Sequence, residues 1–304
     1  MSEGPVVILA GGTGGAKLAR GMLDVVGADE LVVIANTADD IEIYGAYVSP
    51  DPDLVTFWLA DRIDERGWGL RDDTFKVMDG MRELGIEVWF MLGDRDLAIG
   101  IERAGRLRSG ARLTEAQAEI ASAFGVRARV LPMSDSPVRT RVRTGDRWWA
   151  LQEFLIRYQG EGTVLDVEFR GRGAARPTNE VLDALATARA IVIGPSNPVI
   201  SIGPILALDG VRAAIRRSPA PVVAVSPIVE RHVIKGPTAA FMRWSGWTLS
   251  SDGVADGYDG LLDGLVADEP TLSLPVLETD VLMDSVGSRR RLAEQTLGFA
   301  LALR

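Results

Sequence analysis

The stretch PVVILAGGTGGAKLARGML, residues 5–23, decides the fold of this chain. Residues 6–9 are apolar and mostly β-branched, which is typical of a strand buried on both faces. A glycine-rich turn follows, and the segment after it is amphipathic and predicts a helix. Glycine permits positive φ and close backbone approach to a ligand, and a helix N-terminus attracts anions. We therefore expect a phosphate or diphosphate to bind at Gly11, Gly12, Thr13, Gly14, Gly15 and Lys17.

This turn differs from the two best-known phosphate loops. Lys17 stands where the dinucleotide fingerprint has its third glycine. Leu18 replaces the Ser or Thr that holds a metal ion in a Walker A loop, and the spacing is shorter. The alternative is a tight β–α turn without a ligand. Two glycines are enough for such a turn, so four glycines followed by a lysine favour phosphate binding.

Composition limits the chemistry. The chain has 304 residues, 47% of them hydrophobic, and neither a signal peptide nor a run of about 20 apolar residues, so we expect a cytoplasmic protein without a membrane segment. The absence of cysteine and the single histidine, His232, argue against thiolate, zinc and Ser–His–Asp chemistry. Any metal should be oxygen-ligated, which favours Mg²⁺. The net charge of −9 argues against nucleic acid as a partner.

Buried strands followed by polar loops recur along the chain. The pattern predicts strands at 31–35, 86–92, 190–193 and 221–225, each followed by a polar loop (NTADD, GDRD, GPSNP and SPIV). We expect an α/β fold with a Rossmann-like, mostly parallel sheet flanked by helices, whose loops share one edge. The rhythm changes between residues 103 and 185. We assign that range to a smaller α+β insertion, or cap over the acceptor site, and 1–102 and 186–304 to the core.

Acidic side chains in two loops are the candidates for metal chemistry. Asp39, Asp40, Asp51 and Asp53 lie near the glycine turn in sequence, and Mg²⁺ needs only one or two carboxylates beside substrate phosphates. We favour Asp40 and Asp51; the alternative for Asp39 and Asp53 is a helix cap or a turn. Asp94 and Asp96 in GDRD form a second acidic pair.

Other candidates lie in the second half of the chain. Two prolines fix the loop around Ser196 and Asn197, so these residues either contact a ligand or form a rigid turn. Lys235 is expected to neutralise phosphate or to be solvated. The aromatic residues expected either to stack on a ligand or to pack in the core are Trp148, Trp149, Phe154 and Tyr158.

The motifs GGTGGAKL, NTADD, SPDPD, LGDRD, LPMSDSPVRT, LQEFLIR, GPSNPVISIGPIL and SPIV resemble, in this order, the CofD/FbiA family. These proteins are the 2-phospho-lactate transferases of coenzyme F-420 biosynthesis. The resemblance implies a cytoplasmic homodimer with a Rossmann-like core. It also implies Mg²⁺-dependent transfer of a phospholactyl, enolpyruvyl phosphate or phosphoglyceryl group from a guanosine-diphosphate-linked donor to the deazaflavin Fo, with release of GMP.

The resemblance also implies roles for single residues. The family's glycine loop falls on the four glycines of residues 11–15, and its acidic metal motifs fall on Asp40 and on Asp51 or Asp53. Ser196 and Asn197 are implied beside the nucleotide and the acceptor. This sequence departs from the family pattern at two places. Gly100 stands where the family commonly has a histidine, and residues 230–231 stand where it commonly has small residues, often two glycines.

Two other classes remain as alternatives. One is a non-catalytic nucleotide-sugar-binding regulator with a related Rossmann core; the presence of both NTADD and SPDPD argues against it. The other is an NAD(P)-dependent oxidoreductase. The missing third glycine argues against that class, as does the lack of an acidic residue directly at the end of the second strand.

Overall fold

The computed structural model describes residues 4–233 and 236–303. Its strands are β1 (Val6–Ala10), β2 (Leu31–Ala35), β3 (Ile41–Ile43), β4 (Ala46–Val48), β5 (Arg129–Pro132), β6 (Arg139–Thr144), β7 (Arg147–Ala150), β8 (Asp166–Arg170), β9 (Ala190–Ile193), β10 (Val222–Val225), β11 (Ile228–Val229), β12 (His232–Val233), β13 (Gly264–Ala267) and β14 (Val276–Glu278).

Helices connect and cover these strands. They are α1 (Gly12–Val26), α2 (Pro50–Leu59), α3 (Lys76–Glu83), α4 (Asp94–Arg108), α5 (Leu113–Ala123), α6 (Asn179–Thr187), α7 (Gly203–Leu206), α8 (Val211–Arg217), α9 (Thr238–Trp244), α10 (Ser251–Tyr258) and α11 (Val286–Ala302). A 3₁₀ turn (Ala28–Glu30) and two π-helical segments (Glu153–Arg157 and Pro198–Ile202) complete the elements of the described ranges.

The main sheet has seven parallel strands in the order β14-β13-β10-β9-β1-β2-β5. The chain moves from β1 towards β2 and β5, and later returns to the other side of β1 with β9. The strand order therefore reverses between β1 and β9, where open α/β sheets form their binding crevice. This architecture confirms the predicted α/β class and places the loops after β1 and β9 side by side.

Helices bury both faces of the sheet. The strands β1, β2, β9 and β10 are buried throughout, which explains their continuous apolar runs. On one face α1 packs against α2 and α11, and the other face is covered mainly by α6, α7, α8 and α10. No single helix of the described chain is long and apolar enough to cross a membrane; one bent pair, α8 with the helical segment 198–206, passes that test only jointly.

The predicted strand at 86–92 is wrong. This segment is irregular, and its apolar side chains lie in a separate core beneath α3, α4 and the β3–β4 hairpin. Phe90 and Leu92 are buried there against Met78 and Leu97. A short apolar run signals burial without specifying a strand.

The range 103–185, predicted to form an insertion, divides in the structure. β5 pairs with β2 and is the edge strand of the main sheet, whereas β6, β7 and β8 form a separate antiparallel sheet in the order β7-β6-β8. Trp149 and Phe154 are buried in a core shared with Phe241. None of the four aromatic residues singled out in this range lines the cavities described below, so core packing explains Trp149 and Phe154.

Candidate active site at the edge of the main sheet

The glycine turn after β1 is shaped by close packing as well as by backbone conformation. Gly12 begins α1 with φ of +69°, and a Cβ there would meet open space. At Gly14, in contrast, a Cβ would lie 2.0 Å from the carbonyl oxygen of Pro195, and at Gly15 it would lie 2.8 Å from Ser196 Oγ. Gly12 thus serves the turn itself, while Gly14 and Gly15 let the 194–198 loop approach.

Ser196 and Asn197 lie in that neighbouring loop. Ser196 Oγ accepts a hydrogen bond from the backbone N–H of Gly11 at 3.3 Å. The Asn197 side chain accepts from the N–H groups of Val199 and Ile200, and its Nδ2 lies 3.3 Å from Thr238 Oγ1. The sequence left open whether Ser196 and Asn197 form a rigid turn or contact a ligand. In the structure they form a turn that is held by hydrogen bonds and that lines a cleft.

We call this cleft the glycine cleft. Its volume is about 330 Å³, and its polar wall includes Gly12, Thr13, Gly14, Lys17, Ser196 and Asn197. Lys17 Nζ also lies 5.8 Å from the centre of the Trp58 ring. Lys235 lies outside the described residues, although its neighbours Val233 and Gly236 line the cleft. The N-terminus of α1 opens into the cleft, which suits an anion.

Asp51 connects the glycine turn to the acidic loop after β2. Its Oδ1 accepts the N–H of Gly12 at 2.5 Å, and its Oδ2 accepts Asn36 Nδ2 at 2.9 Å. The same amide nitrogen lies 3.3 Å from Asp39 Oδ1, and Gln152 Nε2 donates to Asp39 Oδ2 at 3.1 Å. One asparagine therefore holds the carboxylates of Asp39 and Asp51 beside the glycine turn.

Asp40 lies next to this pair. Ser49 Oγ donates to its Oδ1 at 2.7 Å, whereas its Oδ2 is buried without a hydrogen-bond partner. Burial raises the pKa of Asp40 to about 7 and that of Asp51 to about 6. The pKa of Asp39 is raised by burial and by the charges of Asp51 and Asp40. These raised pKa values mean that the three carboxyl groups do not easily carry negative charge at the same time. A bound cation would stabilise their ionised forms.

The donor set suits a hard cation that shares its coordination with a substrate. Within residues 4–233 and 236–303, no group of three acidic or histidine side chains forms a complete metal site. Mg²⁺ needs only one or two carboxylates, since substrate phosphates and water supply the rest. Asp39 and Asp51 fit that requirement, and Asp40, which the sequence prediction favoured together with Asp51, lies beside them.

Asp53 requires a correction, because its carboxylate is already paired. Both oxygens accept hydrogen bonds from the guanidinium of Arg103, one from Nη1 at 3.0 Å and the other from Nη2. Arg103 is fully buried and also donates to the Tyr47 carbonyl at 3.0 Å and to Gln117 at 3.1 Å. Asp53 is the anion of a buried ion pair, which leaves it unsuited to hold a metal.

Asp51 also lines a second cavity, which we call the aromatic cavity. Its volume is about 460 Å³, and its wall includes Asp51, Phe57, Trp68, Trp89, Phe90 and Asp96. Burial, with the charges of Asp53 and Asp73, raises the pKa of Asp96 to about 7. The sequence analysis considered only the aromatics of 148–158 for stacking and did not consider these. The available signal was the Trp–Phe pair two residues before GDRD.

Comparison with known proteins identifies the chain. The family model described as 2-phospho-L-lactate transferase CofD matches residues 6–289. The chain belongs to the CofD family. This membership confirms the predicted resemblance and the predicted enzyme class, a transferase of a phosphate-containing group.

Relatives match over nearly their whole length. A 2-phospho-L-lactate transferase of Methanosarcina acetivorans is 41% identical, with 96% of this chain and 98% of the relative covered. A phosphoenolpyruvate transferase of Kitasatospora aureofaciens is 38% identical, with 95% and 97% covered. Among solved structures, a UPF0052-family protein of Bacillus halodurans superposes with a TM-score of 0.64 at 16% identity, covering 98% of this chain and 99% of its own. That likeness concerns the fold alone.

The structure shows the local consequence of each departure from the family pattern. Gly100 lies in α4, and a Cβ there would lie 2.9 Å from Ala46 Cβ, so the glycine lets α4 pack closely on β4. Glu230 and Arg231 have φ of +48° and +61° in the turn between β11 and β12. Glycine is the residue that adopts such angles without strain, and asparagine or aspartate does so more readily than glutamate or arginine.

Proposed function

We propose that this CofD-family protein transfers a phosphorylated three-carbon acid from a guanosine-diphosphate-linked donor to a hydroxyl of the deazaflavin Fo, releasing GMP. One observation carries the proposal: Asp51 connects two cavities of different character. It lines the aromatic cavity, and its Oδ1 accepts the N–H of Gly12, a residue in the wall of the glycine cleft. A donor in one cavity and an acceptor in the other would meet at this carboxylate.

The glycine cleft suits the diphosphate of the donor. The N-terminus of α1 opens into the cleft, and Lys17 adds a positive side chain to its wall. Backbone N–H groups and the helix dipole favour phosphate there. The names of the relatives, phospholactate transferase and phosphoenolpyruvate transferase, support a three-carbon acid as the transferred group.

The aromatic cavity suits the deazaflavin. A planar ring stacks favourably on aromatic side chains, and Trp68 and Trp89 supply the largest faces of this cavity. Asp96 lies in the same wall, and its raised pKa near 7 suits a group that accepts the proton of the attacking hydroxyl. We assign that role to Asp96, which the sequence prediction mentioned only as part of an acidic pair.

Asp39 and Asp51 would hold Mg²⁺ together with donor phosphate oxygens, and Asp40 would add its charge from the buried side. Bound there, Mg²⁺ would neutralise charge on the transferring phosphorus. The chain's own residues position the reactants: Asn36 and Gln152 fix the Asp39 carboxylate by hydrogen bonds, and Gly12 fixes that of Asp51.

The reaction replaces a phosphoanhydride bond with a phosphoester bond. The acceptor oxygen forms a bond to the phosphorus that carries the three-carbon acid, the bond from that phosphorus to the oxygen bridging to GMP breaks, and the hydroxyl proton leaves to Asp96. Phosphoryl transfer of this kind depends on positioning and charge stabilisation, which explains why the site works without cysteine or histidine.

Mass spectrometry of the reaction products tests the proposal. The purified protein receives Fo, Mg²⁺ and guanylylated phospholactate, phosphoenolpyruvate and phosphoglycerate in competition. We expect one phosphodiester product of Fo and an equal amount of GMP. Binding of Fo and GDP without any product would contradict the proposed transfer and favour the regulator class. The homodimer and the cytoplasmic location implied by the family stay predictions.

A further inference from the structure

Two loops interlock where helices α3 and α4 begin, and the roles assigned above use only Asp96 of them. Asp94 is the first residue of α4, yet its carboxylate accepts two backbone N–H groups in the first turn of α3, at 3.0 and 3.2 Å. In return the carboxylate of Asp73, which precedes α3, accepts the N–H groups of Arg95 and Asp96 in the first turn of α4, at 3.0 and 3.2 Å. Each helix is therefore capped by an aspartate from outside it.

Gly93 makes this contact possible. Its φ is −66°, so its backbone conformation does not require glycine. A Cβ at Gly93 would lie 2.1 Å from Asp73 Oδ2, so any larger residue would displace that carboxylate from the start of α4. The N–H of Asp94 also joins the two loops, because it donates to the carbonyl oxygen of Thr74 at 2.7 Å. The glycine and the first aspartate of GDRD thus belong to the interlocked pair of loops.

Asp96 is the residue that this arrangement presents to the aromatic cavity. It is the third residue of α4, and its side chain lines the cavity. Within residues 4–233 and 236–303, no donor forms a hydrogen bond to its carboxylate. The carboxylate is therefore available to a ligand. Its position depends on the first turn of α4, which Asp73 fixes by accepting the backbone N–H of Asp96 itself.

The charge of Asp73 acts on the same side chain. The dipole of a helix stabilises the ionised form of an aspartate in the first turn, which makes that aspartate a weaker base. Burial is the largest cause of the raised pKa of Asp96; the charges of Asp53 and Asp73 raise this pKa further, and that of Arg103 lowers it. Asp53 is already paired with Arg103, whereas Asp73 accepts only backbone N–H groups of the described chain. Asp73 therefore opposes the effect of the helix dipole on Asp96.

We propose that Asp73 is a positioning residue for Asp96: it holds the first turn of α4 at the aromatic cavity, and its negative charge makes Asp96 a stronger acceptor for the proton of the attacking hydroxyl. This inference rests on the proposed function, which assigns that proton to Asp96. Asp73 does not itself line the aromatic cavity, so it acts through Asp96. A neutral capping residue would hold the helix as well, so a purely structural role would not require the charge.

Titration of Asp96 in the Asp73→Asn variant tests the charge apart from the cap. Asparagine caps helices about as well as aspartate, so the variant keeps an oxygen acceptor for α4 and loses the charge. The full-length protein, labelled with ¹³C at the aspartate carboxyl groups, is titrated by NMR without ligands, and the Asp96 signal is the one missing from Asp96→Asn. We expect its midpoint, about pH 7 in the wild type, to fall by at least about half a pH unit.

Asp94→Asn is the matched control. Asp94 caps α3 in the same way, but its charge is not among those that act on Asp96. In this variant the midpoint should stay within about 0.2 pH units of the wild type. An unmoved midpoint in Asp73→Asn, or an equal shift in Asp94→Asn, would overturn the role assigned to Asp73.

The pH dependence of transfer separates this inference from the proposed function. If Asp96 accepts the proton, the acidic limb of kcat/KM for Fo moves with the NMR midpoint in Asp73→Asn. A limb that stays in place while the midpoint moves would overturn the assignment of Asp96 as proton acceptor, and with it the use of the Asp73 charge in the reaction. Absence of transfer by the wild type would refute the proposed function, whereas the NMR midpoint still decides whether Asp73 sets the proton affinity of Asp96.

Discussion

The glycine cleft and the aromatic cavity are linked by Asp51, which lines the aromatic cavity and accepts the Gly12 N–H, but they are built in different ways. The polar wall of the cleft consists of the turn after β1, the loop after β9 and the N-terminus of α1. The aromatic cavity is formed by side chains from α2, from the irregular segment at 86–92 and from the start of α4. Backbone binding leaves a glycine pattern in the sequence, whereas a cavity made by converging side chains leaves no local pattern.

Helix α2 shows the same contrast within three residues. Asp51 and Asp53 lie in its first turn and are both buried, yet only Asp51 contacts the glycine turn. Asp53 forms the ion pair with Arg103. The following predictions test whether the two cavities bind different ligands and whether these two aspartates have different roles.

The largest expected effect concerns the stability of the fold. Asp53→Asn leaves the buried guanidinium of Arg103 without its anion and should lower the free energy of unfolding by about 3–5 kcal/mol. Asp79→Asn is the control, because its pair with Arg82 is exposed and should contribute less than about 1 kcal/mol. Urea unfolding measures both. A loss of less than 1 kcal/mol in Asp53→Asn would return Asp53 to the list of candidate metal ligands.

The aromatic cavity should respond to loss of a ring. Trp89→Leu is expected to weaken binding of Fo about 10–100-fold, since base-like rings stacked on an aromatic side chain gain about 1–3 kcal/mol. Binding of GDP should stay the same. Trp148→Leu serves as the control outside the cavity, and calorimetry measures both ligands. Equal losses in the two variants would mean that the acceptor site has been misplaced.

The glycine cleft should respond to a single methyl group. Gly12→Ala directs a Cβ into open space in the cleft and is expected to weaken GDP binding about tenfold without changing Fo binding. Gly27→Ala is a matched control: it also has positive φ and open space, but at the other end of α1. Gly27 has φ of 80° and ψ of 167°, a region that essentially only glycine adopts, so the control carries a backbone strain of about 1–3 kcal/mol. If Gly12→Ala binds GDP like Gly27→Ala, phosphate does not approach the turn.

The smallest expected effect is a pH dependence of stability that arises from the buried carboxyl groups of Asp40, Asp51 and Asp96. The pKa values of Asp40 and Asp96, about 7, and of Asp51, about 6, lie above those of the unfolded chain, so the folded state binds protons more tightly. The contribution of these groups to the free energy of unfolding is fully present below about pH 4. It is lost as the pH rises through 6 to 7. We expect the melting temperature without Mg²⁺ to fall between pH 5.5 and 8, less so in Asp40→Asn. An unchanged or rising melting temperature would contradict the rise of these pKa values by burial.

Much of the fold could be predicted from the sequence. The apolar runs at β1, β2, β9 and β10 specify buried parallel strands, and the polar loops after them specify one functional edge. The run at 86–92 has the same composition but packs in its own core under α4, which no local pattern reveals. The order of the sequence motifs was sufficient for the resemblance to the family as well.

The individual site residues were less predictable, because their roles depend on partners distant in sequence. Asp53 and Asp51 are two residues apart, and only the position of Arg103, fifty residues later, separates a structural ion pair from a candidate ligand. In the sequence, Asp39 has the pattern of a turn residue. In the structure, hydrogen bonds from Asn36 and Gln152 orient its carboxylate. The choice between stacking and core packing stayed open for the aromatics of 148–158, because burial in a core and exposure to a cavity have the same local signature.

The central claim is that Asp51 acts where donor and acceptor meet. Single-turnover kinetics of Asp51→Asn, with Fo, Mg²⁺ and the guanylylated donor all bound, tests it most directly. We expect both ligands to bind within about threefold of the wild type while the rate of product formation falls at least about 100-fold. Product formation within tenfold of the wild-type rate would contradict the account, because the carboxylate between the two cavities would then be dispensable for the reaction.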